Sequence, residues 1–286
     1  MCRIFGFRSV LFSQVHKSLV SADNALISQG ELHPDGWGVA YYINRTPHVI
    51  KSMKSALQDK LFKQISGIVS SQTVVAHIRK ATQGEVSLLN AHPFQYGQWV
   101  FAHNGNIKNY EKLKPIFEKS INPDIKRFTL GETDSETIFH FLLTKISEKI
   151  PLESSLTDGE VIKDILTNAI KEIINIIGPL SSYEKALPSE NFLTFVITNG
   201  EIMYAFQGGQ SLYYSTYKTR CSERETCPRF LPICENAVSK GKVNHLIFSS
   251  EPLSGENIWK EMKQGQLFGV DSQMNFSTTK IDKIFL

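Results

Sequence analysis

Cysteine is scarce in this sequence: 286 residues carry only Cys2, Cys221, Cys227 and Cys234. That is too few for a disulfide scaffold in a chain of this length, so Cys2 is expected as a free thiol. Long apolar runs are missing as well. No stretch reaches the roughly 18 uninterrupted apolar residues of a membrane helix, and no membrane partner is expected. The apolar core of a secretory signal is absent too. Arg3 and Arg8 interrupt the first apolar run, and Ser13, Gln14, His16 and Lys17 follow it. The cytoplasm is the expected compartment. Lys plus Arg number 31 against 28 Asp plus Glu, a net charge of +3 with no long block of one sign, and nucleic acid is not expected as a partner. Internal repeats, low-complexity tracts and obvious linkers are absent.

What is present is the composition of a folded chain, with 41% hydrophobic and 21% charged residues. Cys2 to Phe12 and the aromatic, β-branched Trp37 to Asn44 read as strands, and Val15 to Gln29 between them reads as a helix. Thr73 to Arg79 and Gln98 to His103 are further strands, each running into a polar, Gly-containing segment where chemistry would sit. Asp134 to Ile146 and then Val161, Ile165, Ala169, Ile173 and Ile177 change to helical spacing, ending at Gly178-Pro179. Strand-like runs return at Phe192 to Thr198, Glu201 to Phe206, Leu212 to Tyr217 and His245 to Ser249. Strands, then helices, then strands is not the order of parallel βαβ repetition.

Position 2 bears on chemistry because a small residue after the initiator permits removal of Met1. Cys2 would then hold a thiol and a free α-amine, a nucleophile and its base in one residue. His103-Asn104-Gly105-Asn106 follows an apolar strand. Asn104 and the Gly105 N–H can supply two donors to the oxygen of a tetrahedral intermediate, although Asn-Gly alone reads first as a hairpin turn. In His77-Ile78-Arg79-Lys80-Ala81-Thr82, Arg79 offers a planar fork for a carboxylate and Thr82 a hydroxyl. The plainer reading is a solvated basic strand end. Asp134 can bind an ammonium group, cap the helix that starts there, or do both. Pro34, Gly36 and Gly38 force a defined loop from Glu31 to Gly38, where His33, Asp35, Gly36 and Trp37 are candidates for loop support. His92 and His103 either orient a site residue or are structural. Cys221, Cys227, Cys234 and His245 have spacings too wide for a structural zinc site, so no metal and no cofactor is expected.

Taken together, MCRIFGF, HPDGWGVAYY, VAHIRKATQG, NAHPF, WVFAHNGNI, GETDSE and SSEPL resemble, in order, the class II glutamine amidotransferases. The likeness is to their short stand-alone branch, the YafJ-like proteins and the γ-glutamyl hydrolases of thiol metabolism. It runs strongly from Cys2 to Glu136 and weakly on to Leu253. The resemblance implies an α+β fold, a four-layer αββα sandwich of two mainly antiparallel sheets between helical layers. It also implies one domain over residues 1–286, with the motif-bearing core at about 2–136 and its completion at 137–286. By similarity, Cys2 attacks the side-chain amide of glutamine or of a γ-glutamyl compound. Asn104 and Gly105 form the oxyanion hole, Arg79 and Thr82 hold the α-carboxylate, and Asp134 holds the α-ammonium. In the large biosynthetic members an Arg-Gly loop replaces His33 to Gly38, so contacts from that loop are not carried over.

The expected activity is therefore hydrolysis of a γ-glutamyl amide, with a small molecule as partner. One alternative is a glutaminase subunit that delivers ammonia to a separate synthase. Two others are an N-terminal-cysteine acylase for other amides, which would need no ammonium site, and a non-catalytic subunit that binds a γ-glutamyl ligand.

Overall fold

Alternation along strand β1 (Arg3–Gln14) sets the layer plan, since successive side chains of a strand point to opposite faces. Ile4 enters one buried cluster while Phe5 and Phe7 enter another. The computed structural model describes residues 2–29, 33–154, 158–182, 189–238 and 241–285. Met1, with its expected removal, and Glu31 and Leu32 of the loop lie outside the described residues.

In chain order the elements after β1 are β2 (Trp37–Ile43), β3 (Thr46–Ser52), α1 (Lys60–Ile68), β4 (Ser70–Ile78), β5 (Phe94–Tyr96) and β6 (Trp99–Asn106). Four helices follow: α2 (Tyr110–Ser120), α3 (Pro123–Lys126), α4 (Asp134–Ser147) and α5 (Gly159–Ile177). The chain then returns to strands with β7 (Phe192–Thr198), β8 (Met203–Phe206), β9 (Tyr213–Ser215) and β10 (Gly241–Lys242). It finishes with β11 (His245–Ser249), β12 (Lys260–Glu261), β13 (Gln266–Val270) and β14 (Asn275–Lys280).

Among the described residues these strands form two seven-stranded sheets, ordered β12-β9-β11-β1-β4-β2-β3 and β10-β14-β13-β8-β7-β6-β5. The named strands pair antiparallel throughout. The sheets face each other across a core of Ile4, Val75, Val100, Ala102, Val196 and Met203. On the outer face of the first sheet, Phe5, Trp37 and Val74 pack against Phe62 and Ile65 of α1. On the outer face of the second, Phe101, Phe195 and Ile197 pack against α4 and α5 through Phe139, Ile170 and Ile173. The molecule is an α+β sandwich, helices outside and sheets within, as the resemblance implies.

The expected helix over Val15 to Gln29 is not there. A single wide turn at Lys17–Ser21 forms, and the chain then runs through turns. The reason is tertiary: Ser254 Oγ accepts the Asp23 N–H at 3.2 Å, and Asn24 Oδ1 accepts the Ser254 N–H at 2.7 Å. These contacts with the segment after Ser249-Ser250-Glu251-Pro252-Leu253 outweigh a modest local helical preference. Among the described residues, no helix is long and apolar enough to cross a membrane.

Candidate active site

Register places the nucleophile. In the β1–β4 ladder Arg3 pairs with Ile78, so Cys2, just before β1, meets the chain just after β4. The Cys2 thiol lies 3.3 Å from the carbonyl oxygen of Lys80 and accepts the Lys80 N–H at 3.3 Å. The start of β1 is held from its other side. Ser250 Oγ accepts the Ile4 N–H at 2.9 Å, and Arg3 pairs with Glu251 at 2.5 Å. The SSEPL segment therefore brackets the strand that carries Cys2.

Asp35 and Gly36 fix the end of β4. The Arg79 N–H donates to the Gly36 carbonyl at 2.8 Å, the Asp35 N–H donates to the Arg79 carbonyl at 3.2 Å, and Asp35 Oδ2 accepts the Ala81 N–H at 2.8 Å. Trp37 acts from further back. It is fully buried in the outer core, with its indole N–H on Asp59 at 3.2 Å. His33 is buried and its Nδ1 lies 2.5 Å from the Gln29 carbonyl. Gly38 is needed for close approach, because a Cβ there would stand 2.2 Å from the His92 carbonyl oxygen.

Arg79 is not a solvated strand end; it is only 3% exposed. Its guanidinium donates to the carbonyls of Gln83 at 2.9 Å, Gly84 at 3.4 Å and Glu85 at 3.0 Å. The loop that it holds is pinned again by Gln83, whose amide donates to Asn106 Oδ1 and to the Ile107 carbonyl, both at 3.0 Å.

Asn104 and Gly105 do not form a hairpin turn. They continue strand β6, paired with Thr194 and Leu193 of β7. Asn104 is buried and its Oδ1 has no hydrogen-bond partner among the described residues. Gly105 admits no side chain, since a Cβ would lie 2.1 Å from His103 Nε2 and 2.2 Å from the Phe192 carbonyl oxygen. His103 is buried, with Nδ1 2.9 Å from Ser135 Oγ and Nε2 3.3 Å from the Phe192 carbonyl.

Asp134 opens α4 but does not cap it. Thr133 is the cap, its hydroxyl accepting the Glu136 N–H at 3.3 Å. The buried Asp134 carboxylate instead accepts the Ile107 N–H at 2.7 Å and the Ser135 hydroxyl at 3.3 Å. It also sits in the first turn, where the helix dipole favours a negative charge.

These residues meet in one small cavity. Cys2, Arg79, Thr82, Gly105 and Asp134 line it, with His92 and His103. Lys80, Gln83, Thr133 and Ser135 complete the lining and were not singled out from the sequence. Lys80 and Gln83 lie within VAHIRKATQG but act through backbone and loop contacts that their residue types do not announce. Asn104, His33, Asp35, Gly36 and Trp37 are not among the lining residues. The cavity measures about 20 Å³, room for roughly one water.

Burial dominates the electrostatics. It pushes the Cys2 thiol up, against the Lys80 N–H and the Arg79 charge, which both favour thiolate. Burial also raises the Asp134 carboxyl, opposed by His103 and by the Ile107 N–H. The rings of His77 and His92 meet at a tilt of 31°, with centroids 4.2 Å apart. Burial lowers His77 to about 3 and His92 well below the usual histidine range, so both are neutral at physiological pH. Among the described residues no group of three His, Cys, Asp or Glu is placed to hold a metal. Cys221, Cys227 and Cys234 are free and half-buried, and Asn244 Nδ2 donates to Cys234 Sγ at 3.1 Å.

The family model for class II glutamine amidotransferases matches residues 1–282. The chain belongs to the class II glutamine amidotransferases. A Haemophilus influenzae relative whose name assigns it to the glutamine amidotransferases is 30% identical over 82% of this chain and 72% of its own length. Escherichia coli YafJ, named in the same way, is 23% identical over 93% of this chain and 96% of its own. Among solved structures, a glutamine aminotransferase class-II domain protein from Silicibacter pomeroyi superposes with a TM-score of 0.60 at 16% identity, covering 98% of this chain and 99% of that one. The phosphoribosylpyrophosphate amidotransferase of B. subtilis gives a TM-score of 0.58 at 14% identity, covering 99% of this chain but 50% of that enzyme. At these identities the structural likeness speaks to the fold. Membership in this amidotransferase family makes hydrolysis or transfer of the glutamine amide its general chemistry.

Proposed function

We propose that the whole chain acts as one N-terminal-nucleophile domain that cleaves the side-chain amide of glutamine or of a γ-glutamyl compound through a Cys2 thioester. The observation that carries this reading is the convergence of Cys2, Arg79, Gly105 and Asp134 on one cavity. A γ-glutamyl substrate has a carboxylate and an ammonium at one end and an amide at the other. Arg79 and Asp134 suit the first end; a thiol and the Asn104-Gly105 donors suit the second.

Attack begins with proton loss from Cys2. Burial pushes this thiol up, so a base has to act at that step, and the α-amine left by removal of Met1 fills the role within the same residue. Sulfur bonds to the amide carbon, and the oxyanion takes donors from the Asn104 amide and the Gly105 N–H. The C–N bond then breaks, ammonia or an amine leaves with the proton from sulfur, and a γ-glutamyl thioester remains. Water adds to the thioester, its proton passing to the α-amine; glutamate departs and the thiol is restored. At the other end, the substrate carboxylate takes over the Arg79 donors that now hold the 83–85 carbonyls, and Thr82 adds a hydroxyl. Substrate binding and loop movement are then one exchange.

Purified protein incubated with glutamine and with a γ-glutamyl dipeptide is expected to release glutamate, and no glutamate from either sinks the reading. Ammonia delivery to a synthase partner is the second reading. Val86, Leu88 and Leu89, all about half exposed just beyond the site loop, favour it, because apolar groups on such a loop suit a protein partner. Turnover of glutamine but not of the dipeptide supports transfer; turnover of the dipeptide supports hydrolysis.

A further inference from the structure

The layer between the sheets has a second mouth, at the end opposite Cys2. On β1 the inward positions after Ile4 and Gly6 continue to Arg8, six residues from Cys2 and so roughly 20 Å along the strand. A charged side chain here is unusual, because the other inward positions of this strand, Ile4, Gly6 and Val10, are small or apolar. Arg8 is 7% exposed and lines a cavity of about 180 Å³ with Tyr42, Arg45, Gln72, Thr73 and Glu201. That volume holds several waters, or a small anion with water around it.

The guanidinium is only partly satisfied. Its Nε donates to the Glu201 carbonyl at 3.0 Å and its Nη1 donates to the Ser9 carbonyl. The Nη2 group has no protein partner among the described residues. One carboxylate faces this cavity, that of Glu201, and it is engaged by Arg45 at 3.3 Å. Two guanidinium groups therefore share one carboxylate, which leaves an excess positive charge. Three of the neutral side chains around it are already committed. Thr73 Oγ1 donates to the Gly200 carbonyl at 2.7 Å, Gln72 Nε2 to the Val10 carbonyl at 2.9 Å, and the Tyr42 hydroxyl to the Gln98 carbonyl at 2.8 Å.

A buried cation without full compensation is costly, and a guanidinium edge matches the paired oxygens of a carboxylate or phosphate. We infer that this second mouth binds a small oxyanion, carboxylate or phosphate, with Arg8 as its anchor and Arg45 at its rim. Phe12, 63% exposed beside the opening, offers an apolar edge to a ligand that carries carbon.

The test is calorimetric titration of the full chain with inorganic phosphate and, separately, with acetate. Saturable binding of either supports the site and tells which oxyanion it takes. Arg8→Lys, which keeps the charge and loses the fork, is expected to weaken binding about 10–100-fold, and Arg45→Gln about 3–10-fold. Arg79→Gln, at the other mouth, is expected to leave it unchanged. Absence of saturable binding in the wild-type protein overturns the inference. So does an affinity that neither Arg8→Lys nor Arg45→Gln alters, or one that Arg79→Gln abolishes. If Arg8→Lys fails to fold, Arg45→Gln and Arg79→Gln decide the outcome. Glutamate release in the same preparations tests the catalytic reading separately.

Discussion

The Cys2 thiol and the Lys80 backbone are reciprocal partners, with sulfur 3.3 Å from the amide nitrogen and 3.3 Å from the carbonyl oxygen. The N–H favours thiolate, and the carbonyl favours the thiol. Burial outweighs that N–H and keeps the resting nucleophile as the thiol, beside a strand end that Asp35 and Gly36 hold in place.

In the proposed mechanism Asn104 donates to the oxyanion, a bond made once the tetrahedral intermediate forms. Asn104→Ala is expected to lower kcat about 10²–10³-fold with little change in KM. Steady-state kinetics on the substrate that proves active decides this, and a pure KM effect would move Asn104 into substrate binding.

Asp134 links activity and stability with opposite signs. Its folded carboxyl is raised by burial, so the folded chain binds the proton more tightly than the unfolded chain. Stability is then lost as pH rises from the unfolded value of about 4 through the folded one. Asp134→Asn is expected to melt higher than wild type at pH 7, with the gap closing toward pH 4. It is also expected to lose about 10–100-fold in kcat/KM through the missing ammonium partner. Melting curves across this pH range and kinetics at pH 7 check both halves.

Gly105 has no room for a methyl group, given backbone at 2.2 Å and the His103 ring at 2.1 Å. Gly105→Ala is expected to cost about 1–3 kcal/mol of stability, as overpacking does, and to displace an oxyanion donor. Urea denaturation midpoints measure the first effect, and glutamate release the second.

Gln83 locks the site loop through two bonds of 3.0 Å. Gln83→Ala removes about 1–3 kcal/mol of local restraint. Amide exchange over residues 81–86 should speed up by roughly tenfold or more, while exchange in the sheet core stays unchanged.

Much of this was legible in the sequence because strand ends announce themselves. Thr73 to Arg79 and Gln98 to His103 are apolar runs that stop at polar residues, and the antiparallel ladders bring those stops together. The spacing from Val161 to Ile177 likewise matches α5. What was not legible depends on partners far along the chain. The stretch from Val15 to Gln29 has helical spacing but answers to Ser254. Asn104-Gly105 has the local chemistry of a turn, yet β7 pairs it into a strand. Strand β14, Asn275–Lys280, carries mostly polar residues and offers no apolar run. Helix α1 had its signal in Asp59, whose carboxylate accepts the Leu61 N–H at 3.0 Å, with Phe62 and Ile65 buried at helical spacing.

The central claim is that Cys2 forms the bond to the γ-carbonyl carbon. The direct measurement is intact-mass and peptide-mass analysis after incubation with a diazoketone analogue of glutamine. The account predicts one adduct per chain, on the Cys2 thiol of an N-terminal peptide lacking Met1, with loss of glutamate release in parallel and no adduct in Cys2→Ala. An adduct on Cys221, Cys227 or Cys234, with Cys2 unmodified and glutamate release intact, would contradict it.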